Sequence, residues 1–303
     1  MIRMNTTTGG LLYVFALTTL HPGVGRAGEH VDLPIQRDEF GYPVIWGSGL
    51  KGSLRSYFTR LNKNNEVKII FGPEPASDEV SEYSSAVSVH DARLMLMPAR
   101  SLRGVWIYTL SSHLLSYLEI ALEALETSSQ EIASTIFDAL RKLKKKAENL
   151  GRGNVILSSD KYLVDKNEAF LNEKKLAASV DGELIGLVRS IIPQAIHDKV
   201  NGVALLNDED MSEIVRRSLL VQYRVSLKDT KTVDRGALWS EEHIPQRTIF
   251  VSYIACWPPR AKNAPDNLKE PKSVYEFVKN AKFINLGGKE TVGHGLVRLE
   301  WLP

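Results

Sequence analysis

Strand-forming runs stand at both ends of this 303-residue chain, and any fold it adopts has to bring them together. Near the start, LLYVFALTT (residues 11–19) is apolar, aromatic and β-branched, the composition of a buried strand. At the end, FINL (283–286) and LVRLEWL (296–302) enclose GGKETVGHG, where four glycines crowd into nine residues. A turn needs one or two glycines, so this segment predicts a backbone that something approaches closely, and its Lys289 and His294 are side chains able to meet phosphate. One helix pattern, GSGLKGSLRSYFTRL, follows the first strand, with Ser48 as N-cap and Leu50, Leu54, Tyr57, Phe58 and Leu61 along one face. A second, SVYEFVKNA, precedes the last strand pair. Further strands read at VSVHDARLMLMP, VWIYTL, LLVQYRVSL and TIFVSYIACW. This order predicts an α+β sheet with helices on one face and insertions between its strands. A doubly wound sheet is excluded, because no G-x-G-x-x-G follows the first strand and no P-loop is present.

The insertions differ in character. Leu20–Val44 has little periodicity, and such a long loop in a compact domain is usually functional. Glu74–Ser85 is rich in Ser, Glu and Pro and reads as mobile. From His113 to Leu150 the pattern is helical, ending in RKLKKKAENL, a solvated basic helix end. Short helices follow at Asp181–Ser190 and Asp208–Leu219. KDTKTVDRGALWSEEHIPQR, between two strand runs, reads as a long hairpin or an excursion from the sheet, with Gly236 at a sharp bend and Ala237, Leu238 and Trp239 as an apolar tip.

With 43% hydrophobic and 24% charged residues the composition is that of a globular protein, and a net charge of +2 makes any nucleic-acid surface a local patch. The N-terminus has some signal-peptide grammar, but Leu11–Leu17 is too short to span a membrane, so the expectation is a cytoplasmic protein. The lone Cys256 excludes a disulfide framework and reads as core. The seven histidines lack metal-site spacing, and no nucleophile elbow exists. Two features remain. Glu39 to Glu66 encloses no acidic residue yet holds Lys51, Arg55, Arg60 and Lys63, a basic helix beside a glycine-bearing loop. Asp32 lies in the long loop after His21, Glu29 and His30; on local grounds it reads first as a turn or capping residue.

LHPGVGRAGEHVDLPIQRDEFGYPVIWGSGLKGSLRSYF, GALWSEEHIP, WPPRAK and LGGKETVGHGLV together resemble the backbone subunits of type III-B CRISPR effector complexes, the Cmr complexes, which belong to the RAMP superfamily. The resemblance covers both ends of the chain and passes over the middle. It implies one RAMP domain over residues 1–303: an RRM-like (ferredoxin-like) palm, a mobile or helical insertion at about 74–200, and a protruding thumb hairpin at about 228–247. It implies a cytoplasmic antiviral-defence role, with copies stacking into a filament on guide RNA beside other complex subunits and cutting complementary single-stranded target RNA at regular intervals. Asp32 matches the cleaving aspartate, with His21 upstream and Glu241 in the thumb region; His243 departs from the family's tyrosine. Gln36, Arg37, Ser48, Lys51, Arg55, Leu238, Trp239, Gly287, Gly288, Gly293 and His294 are the implied RNA contacts. A divalent ion, Mg2+ first, is the implied cofactor, its ligands unassigned. A non-catalytic RNA-binding scaffold stays open as the other reading. So does a metal-free guide-processing nuclease, against which the thumb and the Asp32 loop argue.

Overall fold

The structure is a computed structural model that describes residues 7–26, 31–73, 83–125 and 130–302. His30, Glu29 and most of the Glu74–Ser85 segment therefore lie outside the described residues. Strands β1 (Thr8–Ala16), β2 (Val44–Ile45), β3 (Val87–Val89), β4 (Ala92–Ser101) and β5 (Val105–Leu110) occupy the first third. Strands β6 (Asn154–Leu157), β7 (Glu168–Leu171), β8 (Lys174–Val180) and β9 (Val203–Leu206) fall in the middle. Strands β10 (Leu220–Leu227), β11 (Val233–His243), β12 (Ile249–Cys256), β13 (Phe283–Asn285) and β14 (Leu296–Leu302) complete the chain. The helices are α1 (Gly47–Arg60), α2 (Asn64–Phe71), α3 (Ser112–Leu125), α4 (Gln130–Glu148), α5 (Leu184–Ser190), α6 (Asp208–Ser218) and α7 (Pro271–Lys279).

As the terminal runs demand, the two ends of the chain pair. β1 lies antiparallel between β12 and β14, β13 flanks β14, and β12 continues to β3 and β4. The inner order β14-β1-β12-β4 is antiparallel throughout, with α1 in the connection after β1 and α7 between β12 and β14. β4 is long enough to serve two sheets. Its second half pairs with β5, and the path β5-β9-β6-β8-β7 returns to β4 through a bridge at Ser101 and Leu171, giving a barrel-like arrangement.

Two sequence expectations need correcting. Helices cover both faces of the palm, not one. Leu12, Val14 and Ala16 of β1 pack into a core with α1, α2 and α7, while Leu11, Tyr13 and Phe15 pack with α3, α4 and α5. A strand that is apolar at every position, without alternation, is the pattern of a doubly covered strand. The middle is also not simply helical, since it carries β6 to β9. These are runs of four to seven residues with no room to show a period. The middle is fastened to β1 by the Tyr13 hydroxyl, which donates to the Ile191 carbonyl at 2.6 Å.

The basic run on α4 is largely paired: Lys144 with Glu119 and Lys146 with Asp181, both at 2.5 Å. Cys256 is buried, and burial pushes its thiol up to about 12, as a core cysteine requires. Among the described residues no helix is long and apolar enough to cross a membrane.

Candidate active site

The loop from Leu20 to Val44 is stitched to the chain's C-terminal third. Single β-bridges join Leu20 to Ile244, His21 to Gly287 and Leu33 to Glu241, and others fold the loop on itself at Gly23–Ile35 and Arg37–Pro43. At its base β11 therefore has β10 on one edge and residues 31–37 on the other. This register sets Asp32 beside Ser240. The Ser240 backbone N–H and hydroxyl both donate to Asp32 Oδ2, at 2.8 and 2.9 Å, and the Asp32 N–H returns a bond to the hydroxyl at 3.0 Å. These bonds, the backbone one foremost, hold the Asp32 carboxyl below the usual carboxylate range. The side chain is otherwise exposed.

His21 is buried, and its Nδ1 lies 2.7 Å from the Glu242 carbonyl. A carbonyl only accepts, so Nδ1 carries the proton and a neutral ring keeps its lone pair on Nε2. Gly23 lies over that nitrogen: a Cβ there would come within 2.7 Å of it. The His21 carbonyl explains part of the glycine-rich segment. It accepts from the Gly288 N–H at 2.9 Å, and a Cβ on Gly287 (φ +82°) would stand 2.6 Å from it. Gly295 (φ +92°) is similarly pressed against the Leu286 carbonyl. Those two glycines thus accommodate this chain's own backbone, whereas Gly288 and Gly293 have room beside them.

Glu241 follows Ser240 on β11, so its side chain points to the opposite face from Asp32. It is fully buried, and its Oε1 accepts from Trp239 Nε1 and from Lys289 Nζ, each at 2.6 Å. Arg224 Nε stands 3.4 Å and His243 Nε2 3.5 Å from Oε2. Burial opposes ionisation, but the bonds from Lys289 and Trp239 and the charges of Lys289 and Arg224 outweigh it and bring the carboxyl down to about 2. His243 is buried with neither ring nitrogen hydrogen-bonded; burial first, then the neighbouring His294 and His21, lower it to about 4. The rings of His21, His243 and His294 form a row, with centroids 5.2 and 4.5 Å apart. His294 bonds Thr19 Oγ1 at 2.5 Å through Nδ1 and accepts from Arg224 Nη2 at 2.8 Å through Nε2.

Gln36 and Arg37 are held within the loop's own framework. Gln36 Oε1 accepts the Trp46 N–H at 2.9 Å, and Arg37 Nη2 pairs with Glu242 at 2.5 Å. The helix α1 begins two residues earlier than a Ser48 cap would start it, with Trp46 as N-cap. Its free N–H groups are met from elsewhere, by Gln36 and by Asp91, whose Oδ1 accepts from Gly47 at 2.8 Å. Ser48 stays exposed. Lys51 and Arg55 are half-buried on one side of α1; burial, then the charge of Arg55, lower the Lys51 ammonium. A different stripe of α1, Gly49, Gly52, Ser53 and Ser56, faces Asn285 and Gly287 across a cleft of 440 Å3. The Arg60–Glu290 pair, at 2.8 Å, also lines it. Two glycine-bearing segments from opposite ends of the sequence thus line one groove.

The protruding hairpin is β10–β11, a two-stranded sheet separate from the large one. It starts at Leu220, not near 228, because LLVQYRVSL belongs to it rather than to the palm. Gly236 lies within β11, and the turn is at Lys228–Thr232, with Lys231 at φ 58°. Leu238 and Trp239 are consequently mid-strand, opposite Val225 and Arg224, and they diverge. Leu238 is 59% exposed on a face shared with Val221, Tyr223, Val225, Leu227 and Val233, and Tyr223 is 75% exposed. Trp239 turns to the other face, onto Glu241 and under the Lys289 ammonium. Ser240 and Arg224 also belong to the site. Their partners Asp32 and Glu241 lie far along the chain or on the next strand, so no local pattern marks them.

The geometry gives one exposed carboxylate with a clamped oxygen, a histidine with a defined basic nitrogen, and a groove at the same end of the palm. Among the described residues no group of three His, Cys, Asp or Glu could hold a metal ion.

Comparison with known proteins matches residues 16–298 to the model of the RAMP superfamily. The chain is 33% identical to the CRISPR system Cmr endoribonuclease Cmr4 of Pyrococcus furiosus, over 95% of this chain and 94% of that protein. Among solved structures it is similar to a chain of the type III-B Cmr-beta complex bound to cognate target RNA (TM-score 0.76, 27% identity, 98% of each chain). It is also similar to oligomeric Cmr4 from Pyrococcus furiosus (TM-score 0.68, 26% identity, 99% of this chain and 98% of that one).

Proposed function

The chain belongs to the RAMP superfamily, and from that premise we propose that it is the backbone subunit of a type III-B CRISPR effector complex, binding guide RNA and cutting complementary target RNA with Asp32. The likeness in fold and in length to the RNA-bound complex chain and to the oligomeric relative supports copies stacking side by side on a guide, with other Cmr subunits and in the cytoplasm. The order β14-β1-β12-β4, with α1 and α7 in the first and last connections, supports a ferredoxin-like palm. We read residues 1–303 as one RAMP domain built on that palm.

The observation that carries the nuclease reading is the Asp32–Ser240 clamp. It fixes a carboxylate of the palm loop to the strand that becomes the thumb, so the reactive group is referenced to the element that meets RNA. RNA supplies its own nucleophile, the 2′-hydroxyl, which attacks the phosphorus as the bond to the 5′-oxygen breaks; the protein's task is to hold these atoms in line and to move a proton from the 2′-hydroxyl toward the departing 5′-oxygen. His21 Nε2 is the acceptor for that proton, its ring oriented by the Glu242 carbonyl. Any ion at this site would be held largely by RNA oxygens and water, with Asp32 the one exposed carboxylate at hand, and would stabilise charge on the phosphate. The groove between α1 and the glycine segment, with Lys51 and Arg55 nearby, suits the guide backbone, and the outer apolar face of β10–β11, Leu238 included, suits unstacked bases.

The test is a reconstituted complex carrying a guide and an end-labelled complementary RNA. The reading expects a ladder of regularly spaced products, and a complex that binds target without cutting it would leave the scaffold reading.

A further inference from the structure

We propose that Lys289 and Arg224, gripped by the buried Glu241 carboxylate, form an RNA phosphate-binding site at the base of the thumb, with Glu241 its positioning residue and not a proton-transfer group. The inference rests on the reading that this chain binds RNA.

Lys289 has φ 67°, in the left-handed region, within a segment whose other positive-φ positions, Gly287, Gly293 and Gly295, are glycines. The strained backbone there is held by the contacts of the segment, and it aims the Lys289 side chain at Glu241. Its ammonium is fixed at one end by Glu241 and lies over the Trp239 ring, yet the side chain remains 31% exposed. Arg224 is held by Glu241 and by His294 and is 32% exposed. Glu241 itself is 1% exposed, with no face for a substrate. Two cations over one carboxylate leave a net positive charge, to which His243 and His294, kept toward their neutral forms by burial, add little. Lys289 has three donors and Arg224 five, more than Glu241 and His294 consume; Arg224 Nε is buried, so a phosphate would be met by the Lys289 ammonium and the Arg224 Nη groups of these part-exposed side chains. The nearby Glu290 is occupied by Arg60. Since Glu241 is the residue after Ser240, this site lies one step along β11 from the Asp32 clamp and on the other face of the strand, at the same base of the thumb.

The experiment measures RNA affinity against salt for Lys289→Gly, Lys289→Arg and Arg224→Ala. One arm titrates guide RNA onto RNA-free protein, and the other titrates target onto guide-loaded complex. Lys289→Gly relaxes φ but takes a partner from the buried Glu241 carboxylate, so its melting temperature should fall, and affinities are read well below the melting temperature of each variant. Lys289→Gly and Arg224→Ala should each flatten the log–log salt slope by roughly 0.7 to 0.9 in one arm, which identifies the RNA, while Lys289→Arg keeps the wild-type slope. Glu241→Gln should slow cleavage about tenfold alone and add nothing to Lys289→Gly. Unchanged slopes in both arms, or losses that multiply between Glu241→Gln and Lys289→Gly, would overturn the proposal. The slopes report binding alone, so a wild-type complex that binds but does not cut refutes the nuclease reading and leaves this one standing.

Discussion

Replacing Gly23 with alanine places one methyl group against the nitrogen proposed to take the proton. The new Cβ would sit 2.7 Å from His21 Nε2, where ordinary contact begins at 3.4 Å, so about 0.7 Å of movement is required. The ring has little freedom to give it. Its Nδ1 is tied to the Glu242 carbonyl at 2.7 Å, its own carbonyl is enclosed by Gly287 and Gly288, and His243 packs beside it. Overpacking of this kind costs roughly 1–3 kcal/mol, and displacement of a proton acceptor costs about tenfold or more in rate. Gly23→Ala should therefore slow single-turnover target cleavage at least about tenfold while target affinity stays within about twofold. Gly186→Ala, whose Cβ meets nothing within 4 Å, is the control. Cleavage at the wild-type rate by Gly23→Ala, with its fold intact, would show that His21 Nε2 has no part in the reaction.

Acid should destabilise the protein in two stages. His243 stays neutral in the fold down to about 4, whereas an ordinary histidine protonates at 6.5, so stability falls as pH drops through that window, by up to roughly 3 kcal/mol. Glu241, held near 2 against an ordinary 4.5, contributes stability above 4.5 that is lost as pH falls further. His243→Phe should shrink the first stage in urea unfolding series between pH 7 and 4, leaving the smaller share of His294 and His90; an unchanged pH profile would place the titration elsewhere. Leu238→Ala should alter stability by less than about 0.5 kcal/mol, whereas Trp239→Ala should cost roughly 1.5–3 kcal/mol through the lost bond to Glu241, and equal melting temperatures would contradict the divergence of the two side chains. Lys51→Ala with Arg55→Ala should flatten the salt dependence of guide binding by roughly 0.7–0.9 per lost contact, and an unchanged slope would confine both to the helix surface.

The elements legible in the sequence were those with a helical period or a sharply bounded apolar run. α1 and α7 have one apolar face each, and β1, β13 and β14 are strands bounded by glycine or helix signals. β6 to β9 were hidden because so short a strand inside helical composition leaves no pattern. LLVQYRVSL shows clean alternation, which means one covered face, but nothing local says that the apolar side would be the open one. The candidate site divides in the same way. Asp32, His21 and Glu241 were found through resemblance, while their opposite faces on β11 depend on a register between residues some 200 apart. The glycine-rich run was visible at once, but Gly287 and Gly295 prove to serve close approach by this chain's own carbonyls.

The central claim is that the exposed, clamped carboxylate of Asp32 cuts the target. The direct measurement is cleavage of guide-matched RNA by a complex assembled with Asp32→Ala, alongside target affinity and complex size. Asp32 fills no core, so its truncation leaves no cavity. The account predicts that regularly spaced products disappear while assembly and target binding stay near wild type. Cleavage that persists, or binding and assembly that fall together with it, would contradict the assignment and make Asp32 a brace between loop and thumb.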